Sequence, residues 1–270
     1  MKSLLTSLAL LSICSFSHAQ TTYYVPDDFS TIQLAIDGSL AGDTIIVRDG
    51  TYYENIDFNK NIHLKSENGF VTTIIDGSMP SGSQPQVVTF GDVDNTAKLQ
   101  GFTITGGSNS NWNGGGLYIA RSGSTPSPTI EDCKISNNSA GIRGGGIWVG
   151  DDCSPEFINC TISDNTAQWG AGMACWGGSS VALTNCTFTD NSATGSEGDG
   201  GGLHIYEAST ASLDNCLFIN NGSDRWGGGI LCGDSSTLTL SDCAMTSNTA
   251  GADGGGIFME EISNATIENC

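Results

Sequence analysis

Residues 144–172 read GGGIWVGDDCSPEFINCTISDNTAQWGAG, and the order of events in that stretch recurs along the chain. A glycine triplet, Gly144-Gly145-Gly146, leads into an apolar alternation at Ile147 and Val149. A polar corner, Cys160 and Asn165 follow, and then comes the next triplet, Gly170-Ala171-Gly172. Working outward, triplets start at Gly114, Gly144, Gly170, Gly200, Gly227 and Gly254, and cysteines fall at Cys133, Cys160, Cys186, Cys216, Cys243 and Cys270. Subtracting each cysteine position from the next gives 27, 26, 30, 27 and 27 residues. Asn138, Asn165, Asn191, Asn221 and Asn248 each stand five residues after their cysteine. Length varies mainly between that asparagine and the next triplet, which marks a loop. Self-similarity at a fixed period of this size is the mark of a solenoid.

The period within each repeat sets the local structure. After the triplets, Leu117/Ile119, Ile147/Val149, Met173/Cys175, Leu203/Ile205, Ile230/Cys232 and Ile257/Met259 alternate with polar or variable residues, the pattern of a strand with one buried face. A second alternation flanks each cysteine. Ile130, Phe157, Leu183, Leu213, Leu240 and Ile267 lie three residues before it, and Ile135, Ile162, Phe188, Phe218 and Met245 two after. The one-residue slip between the flanks predicts a bend near the cysteine. Equivalent residues of successive coils then stack about 4.8 Å apart, the strand spacing. A column of asparagines can hydrogen-bond from coil to coil, and the triplets admit backbone angles that a Cβ would forbid.

The ends differ from the middle. Residues 1–19 read as a secretory signal: Lys2, an apolar run from Leu4 to Ile13, and Ser17-His18-Ala19 as the cleavage site. Residues 20–107 read as a cap and the first coils, and residues 108–270 as the repeated coils. Ser30-Thr31-Ile32-Gln33 predicts a capping box opening a helix whose Ile32, Ala35, Ile36 and Leu40 share a face and which covers the open edge of the first coil. Strands are expected at 44–47, 61–65, 72–75 and 86–90, with turns at Asp49-Gly50 and Asp76-Gly77 of the kind that close hairpins. The sequence stops at Cys270 inside a repeat, so the chain is expected to be a piece of a longer protein.

Composition narrows the function classes. A formal net charge of -20, with 9 Lys and Arg in 270 residues, argues against nucleic acid and anionic membranes as partners. No apolar run is long enough for a transmembrane segment.

Two resemblances enter on motifs. Thr31-Ile32-Gln33, Ala35-Ile36-Asp37, Gly42-Asp43-Thr44-Ile45, Asp49 to Asn55 (DGTYYEN) and Thr73-Ile74-Ile75-Asp76-Gly77 resemble the opening coils of pectin-lyase-like proteins. The later coils are similar to the polymorphic outer membrane protein repeat. Phe188-Thr189-Asp190-Asn191 and Phe218-Ile219-Asn220-Asn221 match its F-x-x-N, whereas glycine replaces the alanine of its other motif. Together they imply an all-β fold, a right-handed parallel β-helix with an N-terminal capping helix, and export to the medium or the surface of a bacterial cell. Gly50-Thr51-Tyr52-Tyr53-Glu54 fits the G-x-Y-x-E of pectin methylesterases. The catalytic motifs of those esterases, of polygalacturonases and of pectate lyases are missing, so the resemblance implies a scaffold, and function rests on sites.

Two outward columns carry the candidates. Four residues after each triplet start stand Tyr118, Trp148, Ala174, His204, Leu231 and Phe258, and two further on stand Ala120, Gly150, Trp176, Tyr206, Gly233 and Glu260. Trp148, Trp176, His204 and Tyr206, with Glu207 at the rim, form the candidate binding surface. Aromatics on a flat sheet suit stacking against sugar rings. They also suit covering one another as a ladder, and both readings stand. His204 reads as a surface side chain. Asp151, Glu207, Asp234 and Glu261 form an acidic column with the oxygen chemistry of a weak Ca²⁺ site, or of a solvated turn; no other cofactor is indicated. The longer loop from Asn191 to Gly200 is expected to project Glu197 and Asp199 beside this face. Arg121, Arg143 and Arg225 read as isolated, so no cation sits among clustered carboxylates as catalysis on a polysaccharide would ask. The cysteine column reads as buried thiols, because parallel Cβ atoms about 4.8 Å apart miss disulfide geometry. The leading function is therefore a secreted or cell-surface, adhesin-like β-helix contacting a polysaccharide or a surface partner. The alternative is a polysaccharide lyase or glycoside hydrolase on the same scaffold.

Overall fold

The computed structural model describes residues 19–79, 85–120, 125–260 and 262–270. The signal-sequence reading falls almost wholly on residues 1–18, and Arg121 and Glu261 are likewise outside the described residues. Among the described residues, strands form four parallel sheets of ten, eight, eight and six strands, running side by side along one axis. Every sheet neighbour is the equivalent strand of the adjacent coil, so the chain winds as a right-handed parallel β-helix. No helix of the described residues is long and apolar enough to cross a membrane.

One coil shows how the sequence makes the turn. Gly144 adopts φ 64°, which an L side chain rarely tolerates, and a Cβ on Gly146 would lie 2.6 Å from the carbonyl of Gly172 in the next coil. The chain then enters the strand Ile147–Val149 and turns a corner at Asp151 and Asp152, with φ 52° and 61°. It runs through Glu156–Ile158, bends at Asn159, φ 54°, and continues in Thr161–Ser163 and the short Thr166–Ala167. The bend expected near the cysteines is this left-handed residue, which recurs as Asp132, Asn185, Asn215 and Asp242. Asn and Asp tolerate the conformation better than other side chains.

Two buried ladders tie the coils. The Asn165 amide N–H and side-chain Nδ2 both donate to Asn191 Oδ1, at 3.1 and 3.0 Å, while Asn191 Nδ2 donates to Ile162 O and Asn221 Oδ1, both at 2.9 Å. The pattern runs from Asn138 to Asn248. Beside it, Phe188 and Phe218 stack at 4.7 Å and 2°. Cys133, Cys160, Cys186, Cys216 and Cys243 are buried free thiols, as are Cys153, Cys175 and Cys232, whereas Cys270 is exposed. Burial pushes the Cys133 thiol up to about 12.

The cap differs in detail from the sequence expectation. The helix α1 (Ile32–Gly38) buries Ile32, Ala35 and Ile36 against the first strands, but Leu40 lies beyond it and is 56% exposed. Its N-cap is Thr31 rather than Ser30, and Thr31 Oγ1 accepts from Leu34 N at 3.2 Å. The remaining amides are met from a distance. Buried Glu54 accepts from Ile32 N and Gln33 N at 2.9 and 3.0 Å, so a carboxylate from a later coil, and no reciprocal bond from Gln33, closes this end of the helix. The Glu of the G-x-Y-x-E pattern is thus a helix cap. A strand at Thr22–Val25, not foreseen, opens the ten-stranded sheet ahead of the helix. Asp49-Gly50 and Asp76-Gly77 are corners between sheets rather than hairpin turns, since all neighbouring strands are parallel.

Candidate functional site

Strand register builds the first column as expected: Tyr118 pairs with Trp148, Trp148 with Ala174, Ala174 with His204, His204 with Leu231 and Leu231 with Phe258. What these side chains do differs along it. Trp148 is not a free outward face. It is 6% exposed, packed over Ala120 and Ala174 with Trp176 alongside. His204 is buried rather than on the surface, at 3% exposure, edge-on to Trp176 at 5.5 Å and to Tyr206 at 5.4 Å. Neither of its ring nitrogens has a hydrogen-bond partner. Burial, and then the charges of Arg143 and Arg225, push its pKa down to about 3, so the ring is neutral at ordinary pH. Trp176, Tyr206 and Glu207 do reach solvent.

The residues that complete the site come from a third column, one position before each triplet: Asn113, Arg143, Trp169, Asp199, Trp226 and Asp253. Arg143 bridges Trp169, and Trp169 bridges Asp199, as isolated parallel pairs. The Arg143 guanidinium lies 4.0 Å from the Trp176 ring centre and 5.0 Å from that of Trp169. Tyr206 approaches Trp176 at 4.7 Å and 34°. The result is a graded stack of arginine, tryptophan and tyrosine, with Trp169 at 6.0 Å beside it. Arg143 and Arg225, read as isolated in sequence, therefore face one cavity.

That cavity, of about 240 Å³, is lined by Arg143, Trp169, Asp199, Tyr206, Arg225 and Glu260, with Trp176 and His204 in its wall. Asp199 does not project. It is 3% exposed, accepts from Arg225 Nε at 2.9 Å and from Trp226 N at 3.1 Å, and forms an ion pair with Arg225. Of the two acidic residues of that loop, Glu197 stands exposed. Arg225 is thus neutralised, and it also lies 3.9 Å from the centre of the Trp226 ring, whose plane stacks on Phe258 at 5.2 Å. Arg143 pairs with no described carboxylate. Burial lowers its pKa while the charge of Glu207 raises it. The cavity therefore presents one guanidinium with no described ion-pair contact, aromatic edges, a phenol and a carboxylate at Glu260. The column before the triplet was readable from the repeat alignment itself, but its residues fall in the loop of variable length and carry no alternation to flag them.

Asp151, Glu207 and Asp234 stand exposed on left-handed corners, φ 52°, 52° and 48°, with Gly177 at the corner between the first two, and Glu261 is outside the described residues. Among the described residues no three His, Cys, Asp or Glu side chains converge as a metal-ligand set.

Comparison with known proteins bears on the fold. No curated protein sequence matches the chain. Among solved structures, a pectin methylesterase from Aspergillus niger is 16% identical over 93% of this chain and 86% of its own, with a TM-score of 0.47. Pectin methylesterase PemA from Erwinia chrysanthemi is 13% identical over 85% of this chain and 81% of its own, TM-score 0.46. The rice weevil pectin methyl esterase is 12% identical over 93% and 90%, TM-score 0.34. Likeness at this level carries nothing about chemistry. The family described as the right handed beta helix region matches residues 91–270, most of the coils laid out above, and the chain belongs to that family.

Proposed function

We propose that the protein is a non-catalytic glycan-binding β-helix whose binding face is the aromatic cavity around Arg143. The observation that carries this is the guanidinium itself: half-buried, stacked on Trp176, and without a carboxylate partner on an acidic chain. A desolvated cation beside aromatic edges suits a sugar bearing a carboxylate or sulfate, with its ring against Trp169 and Tyr206 and Glu207 at the rim. Trp148 and His204 support the stack from beneath. Trp176 is covered on its faces by Arg143 and Tyr206, so it acts as a spacer. The surface reading of adhesion, on a secreted or cell-anchored chain, rests on this contact.

A glycan array carrying matched neutral and acidic oligosaccharides tests it. Wild type should favour the acidic set. Arg143→Met keeps the stem and removes the charge, and should weaken that binding by about 2 kcal/mol, roughly thirtyfold. Equal binding by both proteins would refute the reading. The second reading, a polysaccharide lyase or glycoside hydrolase, is favoured by Asp199 and Glu260 meeting Arg225 in one cavity. Polysaccharide cleavage by wild type that is lost in Glu260→Gln would put it first.

A further inference from the structure

The same sheet face carries a second cavity, of about 360 Å³, lined chiefly by Gln86, Thr89, Asn109, Trp112, Asn113 and Tyr118. Thr89 pairs with Tyr118 and Tyr118 with Trp148, which sets this cavity one coil before the aromatic stack. We infer that it is a binding site for a short neutral oligosaccharide, separate in residues and in chemistry from the Arg143 cavity and independent of that reading.

Hydrogen-bond accounting carries the inference. Gln86 Nε2 and Asn109 Nδ2 both donate to Asn113 O, at 3.4 and 2.9 Å, so these amide donors are turned onto the protein. Their acceptor counterparts are not matched. Gln86 Oε1, Asn113 Oδ1 and Thr89 Oγ1 are buried without a partner, and the Gln86 residue is 8% exposed. Native structures leave few such groups, and each is costly. Three in one cavity ask for a ligand that brings several donors, which is what a row of sugar hydroxyls provides.

The lining selects against charge. None of its described residues bears a carboxylate or a cation, and burial raises the Tyr118 phenol above its ordinary range, keeping it neutral as a further donor. At the rim stands Trp112, 69% exposed, the most open tryptophan of the chain and one on which no described ring packs. A large indole held in water beside unpaired amide oxygens is the combination that stacks a pyranose and reads its hydroxyls. The volume falls in the roughly 300–1,000 Å³ range of small-molecule sites.

Isothermal titration with trisaccharides of β-1,4-linked glucose, mannose and xylose, beside trigalacturonate as the acidic probe, tests this. At least one neutral trisaccharide should bind wild type with a Kd below about 1 mM. Trp112→Ala, a change at an exposed side chain, should weaken that binding at least tenfold. Gln86→Met should weaken it while raising the thermal midpoint, because an unmatched buried oxygen is removed. Trigalacturonate should not displace the neutral sugar. Neutral binding without acidic binding would fail the Arg143 reading alone and leave this one standing. Absence of heat with every neutral probe, unchanged binding in Trp112→Ala, or displacement by trigalacturonate would each overturn it and leave the cavity as a hydration site.

Discussion

The first coils and the later ones are built on one cross-section and held by different means. Near the N-terminus the ties are single. Glu54 meets the amides of Ile32 and Gln33, Ser66 Oγ and Thr73 Oγ1 meet at 2.7 Å, and the Asp43 carboxylate accepts from Thr21 N and Leu40 N at 2.9 and 2.8 Å. From Asn138 onward one tie is copied from coil to coil. A coil inside the stack meets the same neighbour above and below, so one solution serves every interface, whereas the first coil meets a helix on one side and a coil on the other. Repetition is economical, but it makes each rung the support of two interfaces.

The largest expected effect breaks such a rung. Asn191→Ala leaves the Asn165 amide and the Ile162 carbonyl without this partner inside the core, and takes from Asn165 Nδ2 one of its two acceptors, the Ile135 carbonyl remaining. At about 1–3 kcal/mol for each orphaned group, partly relieved by relaxation, the loss should be about 4 kcal/mol in urea unfolding. Amide exchange should quicken in the coils on both sides. A loss below 1 kcal/mol would mean that the ladder is ornament. Glu54→Ala should cost less, about 2 kcal/mol, with faster exchange confined to α1 and the first coil. Spread of the effect into the asparagine ladder would erase the distinction between the two regions.

The smallest effect, read between pH 7 and pH 5, concerns His204, a residue that occurs once in its column of the repeats. Its folded pKa of about 3 lies below the unfolded 6.5, so between those values the unfolded chain binds one more proton. Stability is therefore full above pH 6.5 and declines as pH falls toward 3, by about 1 kcal/mol per unit for this group. The groups that face the ring set the sign: cationic Arg143 and Arg225 oppose protonation, and Trp176 and Tyr206 exclude water. Urea midpoints for wild type and His204→Leu, compared from pH 7 to pH 5, should shift against wild type, because this penalty accumulates in wild type alone. Parallel curves would show the ring to be solvated.

Much of the fold was legible because it is periodic. Triplet, cysteine and asparagine spacing located the coils, and the slip around each cysteine located the bend that Asn159 and its equivalents make. The Thr22–Val25 strand was missed because it has no repeat partner. The site was legible only in part. Alternation correctly put Trp148 and His204 on the outer side of their strands, but outward from the coil is not the same as exposed to water, since Trp176 and Tyr206 fold back over them. Trp169 escaped, Arg143 read as isolated and Asp199 as projecting, because their loop varies in length and nothing one-dimensional says which loop residues converge. Leu40 misled through helical spacing that continued past the end of α1.

The thiol ladder has a consequence for how the molecule ages. While the coils are closed, eight of the nine described cysteines are out of reach of oxidants, and those of Cys186 and Cys232 are held protonated by pKa values of about 12 and 11. Once a chain opens, the same thiols regain ordinary acidity near pKa 8.5 and become nucleophiles spaced about one coil apart. Air then records the event by cross-linking in registers that the closed coils cannot accommodate. The lifetime of the protein in an oxidising medium is thus governed by how seldom it opens, a matter of unfolding rate, and no longer by the equilibrium between the two states.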